Sequence, residues 1–166
     1  MAAVVLVGMM GCGKTTIGRM LAEELAVPFC DTDHLLQHRL GRPIHQLFEL
    51  YGEETFRQHE TRILKDLTRE DRVLATGGGI VVRPENWIEL ERLGVTVFLD
   101  VAEATLIQRL RTAKKRRPLL ETENWEERVH LLRATRLPLY SKAQVRVVLE
   151  NDDFQSVVKQ ILERLP

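Results

Sequence analysis

The stretch that decides the fold is "AVVLVGMMGCGKTTIGRMLAEEL", residues 3–25. Ala3 to Val7 is an unbroken apolar run of strand length, the pattern of a strand buried on both faces of a parallel sheet. Past Gly13, the residues Ile17, Met20, Leu21 and Leu25 recur at helical spacing, so a helix with one apolar face follows. Between strand and helix, "GMMGCGKT" fits G-x-x-x-x-G-K-[ST], with Gly8, Gly13, Lys14 and Thr15 on the fixed positions. Glycines let the backbone wrap a phosphate chain, and successive N–H groups with the helix N-terminus supply positive potential. Lys14 is placed to reach β- and γ-phosphates, and the Thr15 hydroxyl to sit on Mg²⁺. A strand before the loop and a helix after it are the context this motif needs to bind a nucleotide.

Working outward, further strand-length runs are "PFC" (28–30), "RVLAT" (72–76), "VTVFL" (95–99) and "VRVVL" (145–149). Helical patterns separate them. "EETFRQHETRILKDL" carries Phe56, Ile63, Leu64 and Leu67 on one face. Pro84 suits the first turn of a short helix through Trp87 and Leu90. Asn124 with Glu127 predicts a capped start for a helix ending at Pro138, and "DFQSVVKQILERL" a last amphipathic helix. Strands alternating with helices predict one α/β domain over residues 1–166, a parallel sheet with helices on both faces.

The chain has 166 residues, 24 Lys plus Arg, 24 Asp plus Glu and a formal net charge of zero. A protein held by phosphate-backbone attraction carries a cationic excess, so the run Lys114-Lys115-Arg116-Arg117 is not read as a nucleic-acid patch. No apolar run approaches the ~20 residues of a membrane span. No leader pattern precedes the first strand, and Cys12 and Cys30 make neither a disulfide framework nor a metal spacing. A cytoplasmic protein without membrane or nucleic-acid partners is expected.

In open parallel sheets ligands bind beyond the carboxyl ends of the strands, and three motifs fall there. "DTD" follows the second strand: one of Asp31 and Asp33 can help hold the Mg²⁺ shell while the other takes a hydroxyl proton, although a plain helix cap explains one aspartate as well. "GGG" (77–79) ends the third strand, and close approach of backbone to a ligand explains three glycines better than a turn does. Arg57 and Glu60 lie three apart on one helix face, which fits either a surface ion pair or an arginine oriented toward an anionic acceptor. Arg136, just before "LPLY", is a second such arginine, expected near an edge because Pro138 should end its helix.

In this order, "GMMGCGKTTIGRMLAEEL", "DTD", "GRPIHQLFELYGEETFRQHE", "GGG", "RPLL" and "RLPLY" resemble the shikimate kinase family. The loop is widely shared; the stretch from Asp31 to Glu60, with the triple glycine and the R-x-P-L-Y ending, is specific. The resemblance implies a P-loop NTPase fold with a central five-stranded parallel sheet flanked by helices, a mobile lid at about 110–120 and an acceptor-binding helical region at about 31–62. It implies ATP-dependent phosphorylation of the 3-hydroxyl of shikimate, with Mg²⁺; a monomer is expected. By matching position, Asp33 would be the base; Arg57 and Arg136 would clamp the carboxylate, with Glu60 orienting the site. Gly77, Gly78 and Gly79 would lie against the substrate, Gly78 at its ring hydroxyls. ATP would be held by Gly11, Cys12, Gly13, Lys14, Thr15, Thr16 and Arg109, the last near adenine, with Arg111 a rival. Thr15, and Asp31 through water, would hold Mg²⁺. Arg117 would be the lid residue facing the phosphates, bent into place by Pro118 and re-anchored by Leu119 and Leu120. Switch-type GTPases are set aside because no N-K-x-D is present. A gluconate-type kinase, which would share the loop and an acidic motif after the second strand, is the nearest alternative. A nucleoside-monophosphate kinase does not obviously need Asp-x-Asp and three glycines, and a silent nucleotide-binding module has no reason to keep every one of these residues.

Overall fold

The computed structural model describes residues 2–114, 117, 120–150 and 153–166. Five strands, β1 (Ala3–Val7), β2 (Phe29–Asp31), β3 (Val73–Ala75), β4 (Gly94–Val101) and β5 (Val145–Leu149), form one sheet in the order β2-β3-β1-β4-β5. Every pairing is parallel. The sequence placed all five; the edge strand β2 sits one residue later than read and ends on Asp31 itself. Central β1 is buried along its whole length, as its uniform apolar run demands.

Among the described residues, seven α-helices pack with the strands: α1 (Lys14–Leu25), α2 (Thr32–Leu40), α3 (Ile44–Asp66), α4 (Pro84–Leu93), α5 (Glu103–Thr112), α6 (Trp125–Tyr140) and α7 (Phe154–Arg164). The main core joins β1, β3 and β4 to α1, α4, α6 and α7 through Leu6, Ile17, Leu74, Leu90, Leu99, Val129 and Ile161. A second, smaller cluster of Leu36, Leu47, Phe56 and Ile63 holds α2 against α3. Helices α2 and α3 thus carry a core of their own beside the sheet.

Two helix ends differ from the reading of the sequence. Asn124 stands at the start of α6, but its side chain makes no capping bond. The helix also runs through Pro138 to Tyr140 rather than ending at the proline. Only two residues follow Pro138, so its ring disturbs a single carbonyl one turn back, a cost the last turn can absorb. Arg136 is correspondingly not at an edge: it is 3% exposed. It shares a helix face with Tyr140, four residues on, and that face is packed inward.

Candidate functional site

The carboxyl ends of β1, β2 and β3 open into a cavity of about 370 Å³. Its floor is the loop from Gly8 to Thr15. Gly11 and Gly13 have φ of 78° and 100°, the left-handed region that glycine enters without strain. Lys14 Nζ donates to the carbonyls of Gly8 (2.6 Å) and Met9 (2.9 Å), so the ammonium lies over its own loop. Gly11, Gly13, Lys14, Thr15 and Thr16 all line the cavity. Cys12 does not: its buried Sγ packs inward, 3.6 Å from Lys14 Nζ, which leaves only its backbone to serve a ligand.

Asp31 combines two readings that the sequence held apart. It caps α2, accepting at 2.9 Å from the Asp33 N–H, and its other oxygen accepts from the Thr15 hydroxyl at 3.1 Å. Asp33, in the first turn of α2, lines the cavity.

The Arg57–Glu60 pair is no surface ion pair. Arg57 is 5% exposed and Glu60 1%, and Nη1 donates to Oε1 at 2.6 Å. Arg57 Nη2 also reaches Glu53 Oε1 at 3.3 Å, and its guanidinium lies near the rings of Phe48 and Phe56. Burial works against the Arg57 charge, but Glu60 and Glu53 hold its pKa above the usual value. Burial pushes the Glu60 carboxyl up to about 7, against the pull of Arg57. Arg57 Nε, Glu60 Oε2 and Arg136 Nη1 are buried without a hydrogen-bond partner. Unpartnered buried polar atoms are expensive in a core and are concentrated here in one cavity wall.

The triple glycine explains how so many charged groups fit. A Cβ on Gly77 would come within 2.9 Å of Glu60 Oε2 and 3.0 Å of Asp33 Oδ1. One on Gly79 would overlap the Arg57 guanidinium, and one on Gly78 would stand 3.3 Å from the Met10 nitrogen and 3.6 Å from Arg136 Nη1. The close approach expected between backbone and ligand is, at Gly77 and Gly79, an approach of site side chains to the backbone. Tyr140, which the sequence reading did not assign, fixes this turn by donating to the Gly78 carbonyl at 2.5 Å. Glu53, Phe48 and Phe56 were likewise missed as site residues; Glu53 was legible, lying four residues before Arg57.

On the nucleotide side, Arg109 donates to the Gly11 carbonyl at 3.2 Å and stacks over Phe154. Arg111 instead pairs with Glu126 at an exposed position, away from the cavity. Arg117 lines the cavity; burial lowers its pKa, and Asp33 acts the other way. Leu120 packs against the core. Lys115, Arg116, Pro118 and Leu119, and with them the expected bend and half of the anchor, lie outside the described residues.

A phosphate loop on the central strand of a parallel sheet, opening beside a wall of buried arginines, defines a small phosphotransferase of the P-loop class. A family model for shikimate kinase matches residues 10–166. The chain is 44% identical to the shikimate kinase of Synechococcus sp. (strain RCC307), over 97% of this chain and 83% of that one. It is 46% identical to that of Dechloromonas aromatica (strain RCB), over 86% and 78%. Among solved structures, shikimate kinase from Acinetobacter baumannii in complex with shikimate superposes with a TM-score of 0.92 at 37% identity, covering 98% of this chain and 92% of that one. The chain belongs to the shikimate kinase family. A gluconokinase from Sinorhizobium meliloti 1021 shares only the fold, at 17% identity and a TM-score of 0.54.

Proposed function

We propose that the protein transfers the γ-phosphoryl group of ATP to the 3-hydroxyl of shikimate, giving shikimate 3-phosphate and ADP, a step toward chorismate and the aromatic amino acids. The observation that carries the acceptor assignment is the pair of buried arginines, Arg57 and Arg136, in one cavity wall with unpartnered nitrogens. Such a wall suits a carboxylate, which can accept from both guanidinium groups. A neutral acceptor would give no use for it.

In this reading the Gly8–Thr15 backbone and Lys14 hold the triphosphate, and Arg109 with Phe154 flanks the base. Asp33 faces the acceptor hydroxyl and takes its proton, late in a loose transition state. Arg57 and Arg136 hold the carboxylate, which fixes the ring and aims the hydroxyl at the phosphorus. Gly78 lies against the ring. Arg117 turns toward the charge that develops on the transferred group, and the segment at about 110–120 closes as a lid, keeping water from competing with the hydroxyl. The Thr15 hydroxyl and Asp31 carboxylate, already 3.1 Å apart, are the hard oxygen ligands that Mg²⁺ takes, Asp31 through water. The ion's contribution would be to neutralise phosphate charge. We take the enzyme to work as a cytoplasmic monomer, without membrane or nucleic-acid partners; its even charge supports the last point.

The test is to remove the acceptor's charge. The methyl ester of shikimate should lose on the order of a hundredfold in kcat/KM, as expected when a positioning clamp is disengaged. Equal turnover of acid and ester would show that the arginine wall serves something else.

A further inference from the structure

We infer that binding of the acceptor's carboxylate is coupled to uptake of one proton by Glu60. The inference rests on the acceptor reading above and adds a thermodynamic consequence to it. Glu60 Oε1 is taken by Arg57, while Oε2 is buried with no partner. Oε2 and Asp33 Oδ1 both come within 3.0 Å of a single point, the position a Cβ would take on Gly77. Two carboxylates therefore face one gap, and the Glu60 oxygen that faces it has no donor.

The charges around Glu60 can be named element by element. On α3 they are Arg57 and, beyond it, Glu53; on α2, Asp33; on α6, Arg136. Arg117, which lines the same cavity, feels the charge of Asp33. Tyr140 on α6 is directed to the Gly78 carbonyl. Arg57 and Arg136 are the cations that oppose protonation of Glu60 in the empty site. An entering carboxylate accepts from the same two guanidinium groups and adds a negative charge beside Glu60, in a wall that is almost wholly buried. Protonation of Glu60 relieves that repulsion. It also gives Oε2 a hydrogen to donate, while Oε1 keeps its bond from Arg57. Because burial already holds the Glu60 carboxyl near 7, the added anion has only to extend that shift. The proton comes from solvent on binding and returns when the phosphorylated product leaves; no bond other than that O–H is made or broken.

The measurement is calorimetric titration of the full-length protein with shikimate at about pH 8, in phosphate and in Tris, whose ionisation enthalpies differ. Wild type should take up about half a proton or more, and its Kd should weaken with rising pH, up to about tenfold per unit. Glu60→Gln keeps an acceptor for Arg57, so its binding should show no proton uptake and a Kd flat across the same range. Equal enthalpies in the two buffers for wild type, or uptake that persists in Glu60→Gln, would overturn the inference. Should that variant not fold, infrared difference spectra of wild type decide. A carboxylic-acid carbonyl band should appear on adding shikimate, and its absence counts against Glu60. Wild type that binds no shikimate at all would remove the acceptor reading and this inference with it, a result distinct from binding without proton uptake. No histidine among the described residues lines the cavity, so none competes as the proton's destination.

Discussion

A methyl group on Gly79 would overlap the guanidinium of Arg57, and that guanidinium is the movable partner. Gly79→Ala should therefore fold, with Arg57 pushed from its place against the backbone. We expect the KM for shikimate to rise ten- to a hundredfold while the KM for ATP holds, the loss typical of a misplaced positioning group. Unchanged acceptor kinetics would mean that Arg57 is not the clamp. Lys14 gives the complementary case. Among the described residues its ammonium bonds only loop carbonyls and the Cys12 sulfur, so Lys14→Met should cost little stability but lower kcat by about 10²–10³ in a steady-state assay. Glu60 carries a pH signature. Its carboxyl is raised from 4.5 to about 7 in the folded state, so its contribution to stability is fully present below 4.5 and is lost as pH rises through 7. The loss is on the order of 3 kcal/mol. Urea titrations of the unliganded protein across that range should show it, and Glu60→Gln should flatten it. These roles were partly legible in sequence. The Arg57–Glu60 spacing was plain, but its burial depends on glycines some twenty residues further along the chain, which local spacing cannot reveal.

At the scale of elements, α3 is two helical pieces joined at Gly52, whose φ of 76° and ψ of 171° belong to a region only glycine occupies readily. The kink turns Phe48 back so that its ring lies 4.3 Å from that of Phe56, which closes the small core beside the acceptor wall. No neighbour would crowd a Cβ on Gly52, so Gly52→Ala tests backbone conformation alone. It should cost about 1–3 kcal/mol in chemical unfolding. The Phe56–Leu64 half of α3 was legible because its apolar face repeats strictly. Helix α2 was not read, because its face is mixed and only its two ends speak: Asp31 as N-cap and Gly41, at φ 70°, as terminator. For α6 the proline misled. The rule that proline stops a helix holds for the interior, and Pro138 sits where only a final half-turn remains.

For the whole molecule, the strands were the easiest part to read, since a parallel sheet buried on both faces writes uninterrupted apolar runs. The order β2-β3-β1-β4-β5 was not written in any one segment. It follows from which crossovers close over the core, and it brings the ends of β1, β2 and β3 together. That convergence is why Thr15, Asp31 and Gly77, far apart in sequence, meet at one cavity. The phosphate loop and the arginine wall therefore share a single opening, which under the proposed function takes the triphosphate on the loop side and the acid on the arginine side. The most direct measurement is ADP release with ATP and Mg²⁺ present, comparing shikimate, gluconate, AMP and no acceptor. Turnover with shikimate alone, matched by an equal yield of shikimate 3-phosphate, is the result expected. Turnover with another acceptor, or tight ATP binding without turnover on any, would contradict the assignment of the acceptor site.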